Sequence, residues 1–406
     1  MSAGGTERWL QEMAIELTKR GYPIDFFYCD SAPYKGSNYK HARTDLTRLN
    51  YLKDNKVNLI EFKVGHKDIS TPKHEWLDTN FWQVFNQENY LFVQSAIAGA
   101  SEYPFSELKI PVIDFVSLSG NINRNNNVAW TIHLSEWQRH QWLRLGGRYK
   151  QSSVIPIPAF PRVTNSDLRQ LLGIQSNTLV LGFHQRNDEN IFSDIPLKAY
   201  KKIESESTHF ILLGGSYLHR EQASQLGIRN ITFLDHESSS EAISQFLNTL
   251  DVFTHGRSDG ETFGSVIAEA MIHGVPVISH QVRSGANAHR DTIGPGGFFA
   301  KSISEYIDYL NRYIADSQLR VQMGANGLSF ATKHYTLKSA ADKLVQIYSN
   351  VFPAEFRANV DVKYLTGNHS KTYILKNYMI AFIGRVKHKL IFQIKNMGNS
   401  RLSSKN

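Results

Sequence analysis

The chain has 406 residues, of which 41% are hydrophobic and 20% charged. That is enough length and apolar content for two or three packed domains, and it excludes a disordered or fibrous class. Its single cysteine, Cys29, excludes an internal disulfide framework, and no apolar run approaches the roughly 20 residues that span a bilayer. The first residues, Met1-Ser2-Ala3-Gly4-Gly5, carry no apolar core of the kind a secretory leader needs. The formal charge of +8 is unevenly placed: residues 355–406 hold ten Lys/Arg and two acids, which is the whole excess, so the remainder is neutral. The basic character therefore belongs to a tail and says little about what the main body binds.

Residues 1–160 read as one α/β domain. Glu7 to Arg20 has the apolar spacing of a helix, with Trp9, Leu10, Met13, Ile15 and Leu17, and Gly21 as its stop. Pro23 to Cys29, Asn58 to Phe62, Tyr90 to Ser95, Val112 to Val116 and Val128 to Ser135 are strand candidates. Ser135 is placed to cap a helix running to Leu145, and Val154 to Pro158 reads as a last strand leading into a linker. Residues 161–350 alternate more cleanly. Strands are expected at 178–183, 209–214, 231–234, 251–254 and 275–279, with helices between them and closing helices at 302–314, 317–332 and 339–351. This alternation predicts a parallel, doubly wound sheet, whose ligands gather at the C-terminal strand edges. Residues 351–406 form a basic extension.

The densest chemistry lies in Asp259-Gly260-Glu261-Thr262-Phe263-Gly264-Ser265-Val266-Ile267-Ala268-Glu269-Ala270-Met271. Glu261 sits in a Gly-bearing loop. Glu269 sits inside an otherwise apolar helix, predicted from Phe263 to His273 and stopped by Gly274. A buried carboxylate is costly without hydrogen-bond donors, and the neighbouring Ile267, Ala268, Ala270 and Met271 side chains supply none. A ribose or sugar diol is a suitable donor pair. The helix start at Phe263-Gly264-Ser265 aims free N–H groups at the loop, a geometry that receives phosphate oxygens.

Glu261, Phe263-Gly264, Glu269-Ala270-Met271 and Gly274-Val275-Pro276-Val277 match, in order and spacing, the signature of retaining GT-B glycosyltransferases. The likeness is above all to family 4, the nucleotide-sugar-dependent group also called group 1. The resemblance implies a GT-B architecture: two Rossmann-like doubly wound α/β domains facing a cleft, with a last helix, at Ala340 to Tyr348, that crosses back to the first domain, and here with the basic extension added. It implies a metal-independent hexosyl transfer, with retention, from a nucleotide sugar to a saccharide or lipid-linked acceptor, as in polysaccharide biosynthesis. It carries contact with the transferred sugar to Glu261 and with the nucleotide ribose to Glu269. Phe263, Gly264 and Ser265 fall in the same donor-binding segment, and the diphosphate goes to Arg186 and the Gly264-Ser265 amides. Gly4-Gly5 before the first helix resembles the loop that approaches donor phosphates or acceptor, and this brings Gly5 into the donor site.

Two departures from the family pattern stand out. Where a Lys is expected after Arg186, this sequence has Asn190 or Ile191; Arg257 and Arg283 are the nearby cations that would replace it. A non-catalytic GT-B-like protein that binds nucleotide sugars is the alternative reading. The family pattern also begins with a strand before the Gly-Gly loop, whereas only Met1 to Ala3 precede it here. That strand is either encoded upstream or truly missing, which would leave neighbouring strands without a ladder partner. No Asp-x-Asp follows a strand, and His255 and His273 lack metal-ligand spacing, so no metal or other cofactor is expected. The tail from Tyr373 to Lys395 alternates apolar clusters with Lys/Arg. It reads either as an interfacial helix on anionic lipid or as a basic helix docked on the protein. No nucleic-acid motif is present. A cytoplasmic protein, peripheral on the membrane face, is the expected setting.

Overall fold

The computed structural model describes residues 5–29, 46–68, 75–97, 99–237, 239–356 and 370–403. They belong to two compact units, one made of residues 1–155 with 340–406 and the other of residues 156–339.

The first unit opens with α1 (Gly5–Lys19), whose inner side buries Trp9, Met13, Ala14, Ile15 and Leu17. Then follow β1 (Asp25–Cys29), α2 (Leu46–Asp54), β2 (Asn58–Phe62) and a small antiparallel pair, β3 (His66–Asp68) with β4 (Glu75–Leu77). The next elements are α3 (Phe81–Val84), β5 (Val93–Ile97), β6 (Val112–Val116), β7 (Val128–His133), α4 (Glu136–Arg144) and β8 (Ser152–Val154). Every residue of β6 is buried, as the middle strand of a two-sided parallel sheet requires. Trp9 lies flat on Phe115 with ring centroids 3.9 Å apart, which fastens α1 to that sheet. The Ser135 hydroxyl accepts from the Gln138 N–H and caps α4 as expected. The last strand ends where the predicted 154–158 was to begin, because Pro156 and Pro158 offer no N–H to a ladder.

Among the described residues the parallel strands of this unit form two separate ladders, β1-β2 and β5-β6-β7-β8. Met1 to Gly4 lie outside the described residues. Gly5 is the first residue of α1.

The second unit alternates strand and helix. It runs through β9 (Leu179–Gln185), α5 (Ile195–Ile203), β10 (Thr208–Gly214), α6 (Tyr217–Gln225), β11 (Ile231–Leu234), α7 (Ser240–Thr249) and β12 (Val252–Thr254). It continues with β13 (Gly260–Glu261), α8 (Ser265–Ile272), β14 (Val277–His280), β15 (Ala286–Asn287), α9 (His289–Ile293), β16 (Gly297–Ala300), α10 (Ile303–Ala315) and α11 (Ser317–His334). Six strands make one parallel sheet in the order β11-β10-β9-β12-β14-β16. The chain winds outward from β9 to β11, then returns to the other side of β9 with β12. The topological switch point of the sheet therefore lies between β9 and β12.

Two helices return to the first unit. In α12 (Leu337–Val351) the chain rejoins it from Ala340 onward. Arg20 and Asp342 pair at 2.7 Å, and the Tyr348 hydroxyl donates to Gln94 Oε1 at 3.3 Å. The long α13 (Lys371–Ser403) packs on α4 of the same unit. The boundaries expected at 160 and 350 are thus replaced by 155 and 339, and the tail is part of the first unit. Among the described residues no helix is long and apolar enough to cross a membrane.

Candidate functional site

At the switch point, His184 lies near the C-terminal end of β9, and the segments that follow β9 and β12 carry Arg186 and His255 to Gly264. Glu261 is held there by the two-residue β13, which pairs with β15 in register Gly260 to Ala286 and Glu261 to Asn287. Its carboxylate Oε1 stands 3.4 Å from Arg257 Nη1 and 3.5 Å from His255 Nε2. Burial pushes the Glu261 pKa up. The hydrogen bond from His255 and the Arg257 charge more than offset this and hold it below the ordinary carboxylate value. His255 is itself oriented by Ser279 on β14, with Nδ1 and the hydroxyl 2.7 Å apart. The result is a largely buried carboxylate kept ionised, with its Oε1 side occupied by cationic and imidazole donors.

Glu269 lies in the middle of α8 and is 5% exposed. Among the described residues its one ion-pair neighbour is His184, near the end of β9, with Nε2 3.3 Å from Oε2 but not aligned for a hydrogen bond. A buried carboxylate so thinly satisfied is suited to accept from a ligand.

The helix behind the loop starts two residues later than predicted. Gly264 adopts φ +94°, a left-handed conformation that glycine takes without the Cβ penalty, and α8 begins at Ser265. This turn drives Phe263 inward, where it is 3% exposed and meets Tyr335 edge to face at 5.1 Å. Phe263, expected among the donor contacts, is therefore a core side chain that anchors the loop. Gly264 and Ser265 stand at the helix N-terminus as predicted. Arg186 follows β9 as expected, but its side chain is 62% exposed and its guanidinium chelates Asp188 at 2.8 and 3.1 Å. Arg257 turns onto Asp259 and Glu261, and Arg283 is exposed.

Sequence reasoning missed the histidines. His255, His280 and His289 are buried beside the loop, and their roles arise only when neighbouring parallel strands bring them together. His289 Nε2 meets the His280 carbonyl at 2.9 Å, and His280 Nε2 meets the Ser193 hydroxyl at 3.1 Å. Burial lowers the pKa of both rings to about 4, so both are neutral at pH 7. The available signal was their position at strand ends: His255 directly follows β12, His280 closes β14 and His289 comes two residues after β15.

Residues 166–330 match the model of the family described as glycosyl transferases group 1. The fold is GT-B, and the likeness to the group 1 model is confined to residues 166–330. Two curated relatives, both D-inositol 3-phosphate glycosyltransferases, are similar to parts of the chain. The one from Stackebrandtia nassauensis is 26% identical over 200 residues, covering 45% of this chain and 44% of the relative. The one from Corynebacterium jeikeium is 28% identical over 215 residues, covering 49% and 50%. The chain thus spans about half the length of these relatives. Among solved structures, Anabaena Alr3699/HepE in complex with UDP has a TM-score of 0.64 at 17% identity, covering 86% of this chain and 97% of that one. The group 1 region contains Arg186, Glu261, Gly264, Ser265 and Glu269, and hence the whole of the switch-point arrangement in the second unit.

Proposed function

We propose that this protein transfers a hexosyl group from a nucleotide sugar to a saccharide or lipid-linked acceptor, with retention and without a metal. The observation that carries the reading is the pair of buried carboxylates at one sheet switch point. Glu261 is held ionised by Arg257 and His255, and Glu269 has little satisfaction of its own. Glu269 would accept from the ribose hydroxyls. The Gly264 and Ser265 amides at the start of α8 would receive diphosphate oxygens, and Arg186 would join them on leaving Asp188. Glu261 would sit at the donor sugar, where a fixed negative charge favours an oxocarbenium-like centre. Fixed donors and cations would stabilise the leaving diphosphate. UDP is bound by the HepE neighbour, and the curated relatives are glycosyltransferases by name, which supports a nucleotide-sugar donor. Retention rests on the likeness of the Glu261 to Val277 segment to the retaining enzymes. Attachment of the basic tail to an anionic membrane face belongs to the same proposal.

The test is calorimetric titration with UDP, GDP and ADP, joined to donor-hydrolysis and transfer assays over a panel of nucleotide sugars with and without EDTA. Glu269→Ala is expected to weaken nucleotide binding by about 1.5–3 kcal/mol, the worth of hydrogen bonds to a charged group. Glu261→Gln is expected to leave nucleotide affinity unchanged and to lower kcat by about a hundredfold or more, with EDTA without effect. Tight binding without turnover of any donor would instead favour a nucleotide-sugar-binding protein. Absence of binding to all three nucleotides would end the proposal.

A further inference from the structure

The C-terminal helix α13 has two unlike sides. One is fitted to the first unit: Ala381 is 1% exposed and joins Trp142, Leu143 and Tyr149 in a core cluster, with Ile374 and Tyr378 packed against it. Gly384 permits the closest approach. A Cβ there would lie 2.4 Å from the Arg144 carbonyl oxygen and 2.7 Å from the Gly146 nitrogen. Arg385 donates to the Gly147 carbonyl at 3.3 Å, and the Tyr373 hydroxyl donates to Glu136 at 3.3 Å.

The other side is apolar and, among the described residues, uncovered. Leu375, Met379, Phe382, Ile383 and Val386 are 61%, 56%, 61%, 59% and 42% exposed. At about 100° per residue they fall in one arc about 100° wide, opposite the docked residues. Lys371 and Lys389 border this arc on one edge, and Lys376 and Lys387 on the other. From residue 371 to 403 the chain has seven Lys/Arg and no Asp or Glu. An apolar stripe edged on both sides by cations, on a helix not apolar enough to span, is matched in charge and shape by an anionic bilayer surface.

We infer that α13 lies in the plane of an anionic membrane, with its outer stripe of Leu375, Met379, Phe382, Ile383 and Val386 inserted among the lipids while its inner side stays docked on α4. This rests on the proposed tail attachment and goes further by naming the inserting face and the orientation. The flanking lysines stay at headgroup level and neutralise lipid phosphates. Binding then has two components, an electrostatic one that salt weakens and an apolar one that it does not.

Co-sedimentation of the full chain with phosphatidylcholine vesicles, alone or with about a third phosphatidylglycerol, tests this. The expected result is binding to the anionic vesicles only, weakened but not abolished by about 1 M salt. The double variant Phe382→Ser/Ile383→Ser alters only exposed side chains and should keep its thermal transition while binding at least about tenfold more weakly. Equal binding by variant and parent would overturn the inserted face while leaving charge-only attachment intact. No binding to anionic vesicles would overturn attachment altogether, and both outcomes are independent of any donor assay. A lipid-free dimer of the parent that the double variant abolishes would also overturn the inference, because a second copy would then cover the stripe.

Discussion

At the scale of single residues, Arg257 has a role separable from that of Glu261. It presents Nη1 to Glu261 Oε1 and is anchored on its other side by Asp259. Because burial alone raises the Glu261 pKa and Arg257 helps pull it down, removing that cation should let it rise. Under the proposed function, Arg257→Gln should move the acid limb of the kcat/KM profile to higher pH, with a smaller effect at alkaline pH. An acid limb that stays in place would show that Glu261 ionisation does not govern turnover. The two glutamates themselves were legible in the sequence, since an acid in a Gly-bearing loop and another inside an apolar helix are chemically conspicuous. Their partners were not. His184 meets Glu269 only because β9 and β12 are adjacent in the sheet although some 70 residues apart in the chain, and His255 meets Glu261 only through the path of the loop they share. That the Phe263 side chain turns inward was not legible, because it follows from a left-handed Gly264, and a φ value has no sequence signature beyond the glycine itself.

Among the elements, α13 shows how one close contact can hold a whole helix. A side chain at position 384 would meet the Arg144 carbonyl and the Gly146 nitrogen, both backbone atoms of a folded turn with little room to yield. Gly384→Val should therefore lift α13 off α4, detach Arg385 from the Gly146 and Gly147 carbonyls, and uncover Trp142, which is now 7% exposed. The expected readouts are a red-shifted tryptophan emission and faster tryptic cleavage between Lys371 and Lys389. An unchanged cleavage pattern would mean that the helix is held elsewhere. The strands of the second unit were well anticipated, because buried parallel strands are written as short apolar runs closed by Gly or Pro. The helix Ser135 to Leu145 was given by its cap, and it appears as Glu136–Arg144. β16 was missed: Gly297-Phe298-Phe299-Ala300 is only four residues long and follows a Gly-Pro-Gly run that reads as loop. The return of the chain to the first unit at Ala340 was expected from the resemblance alone, and the tertiary contacts that hold it there, such as Arg20 with Asp342, are written in no local pattern.

Across the whole molecule, acid should act unequally on the two units. In the second unit His219, His280 and His289 are buried, and each has its pKa lowered to about 4, chiefly by burial. An unfolded histidine titrates near 6.5, so between these values the unfolded unit binds more protons than the folded one. Stability is then fully present above about pH 6.5 and is lost as pH falls towards 4, by about 2 kcal/mol for each ring at pH 5. In the first unit the signs oppose each other. Burial lowers the His133 pKa, while it raises that of Asp114 to about 6 despite hydrogen bonds from Ser95 and Asn123. The Asp114 contribution is therefore present at low pH and lost as pH rises through 6. All six tryptophans, at positions 9, 76, 82, 130, 137 and 142, lie in the first unit, so tryptophan emission reports on that unit alone. Between pH 7 and pH 5, the thermal transition followed by far-ultraviolet circular dichroism should acquire an early phase that tryptophan emission does not show. The triple variant with glutamine at 219, 280 and 289 should weaken the pH dependence of that early phase, since an amide does not titrate, while His209 and His273, whose pKa values burial also lowers, keep part of it. Coincident optical and fluorescence transitions at pH 5 would mean that the two units unfold as one and that the buried rings of the second unit act on the stability of the whole chain.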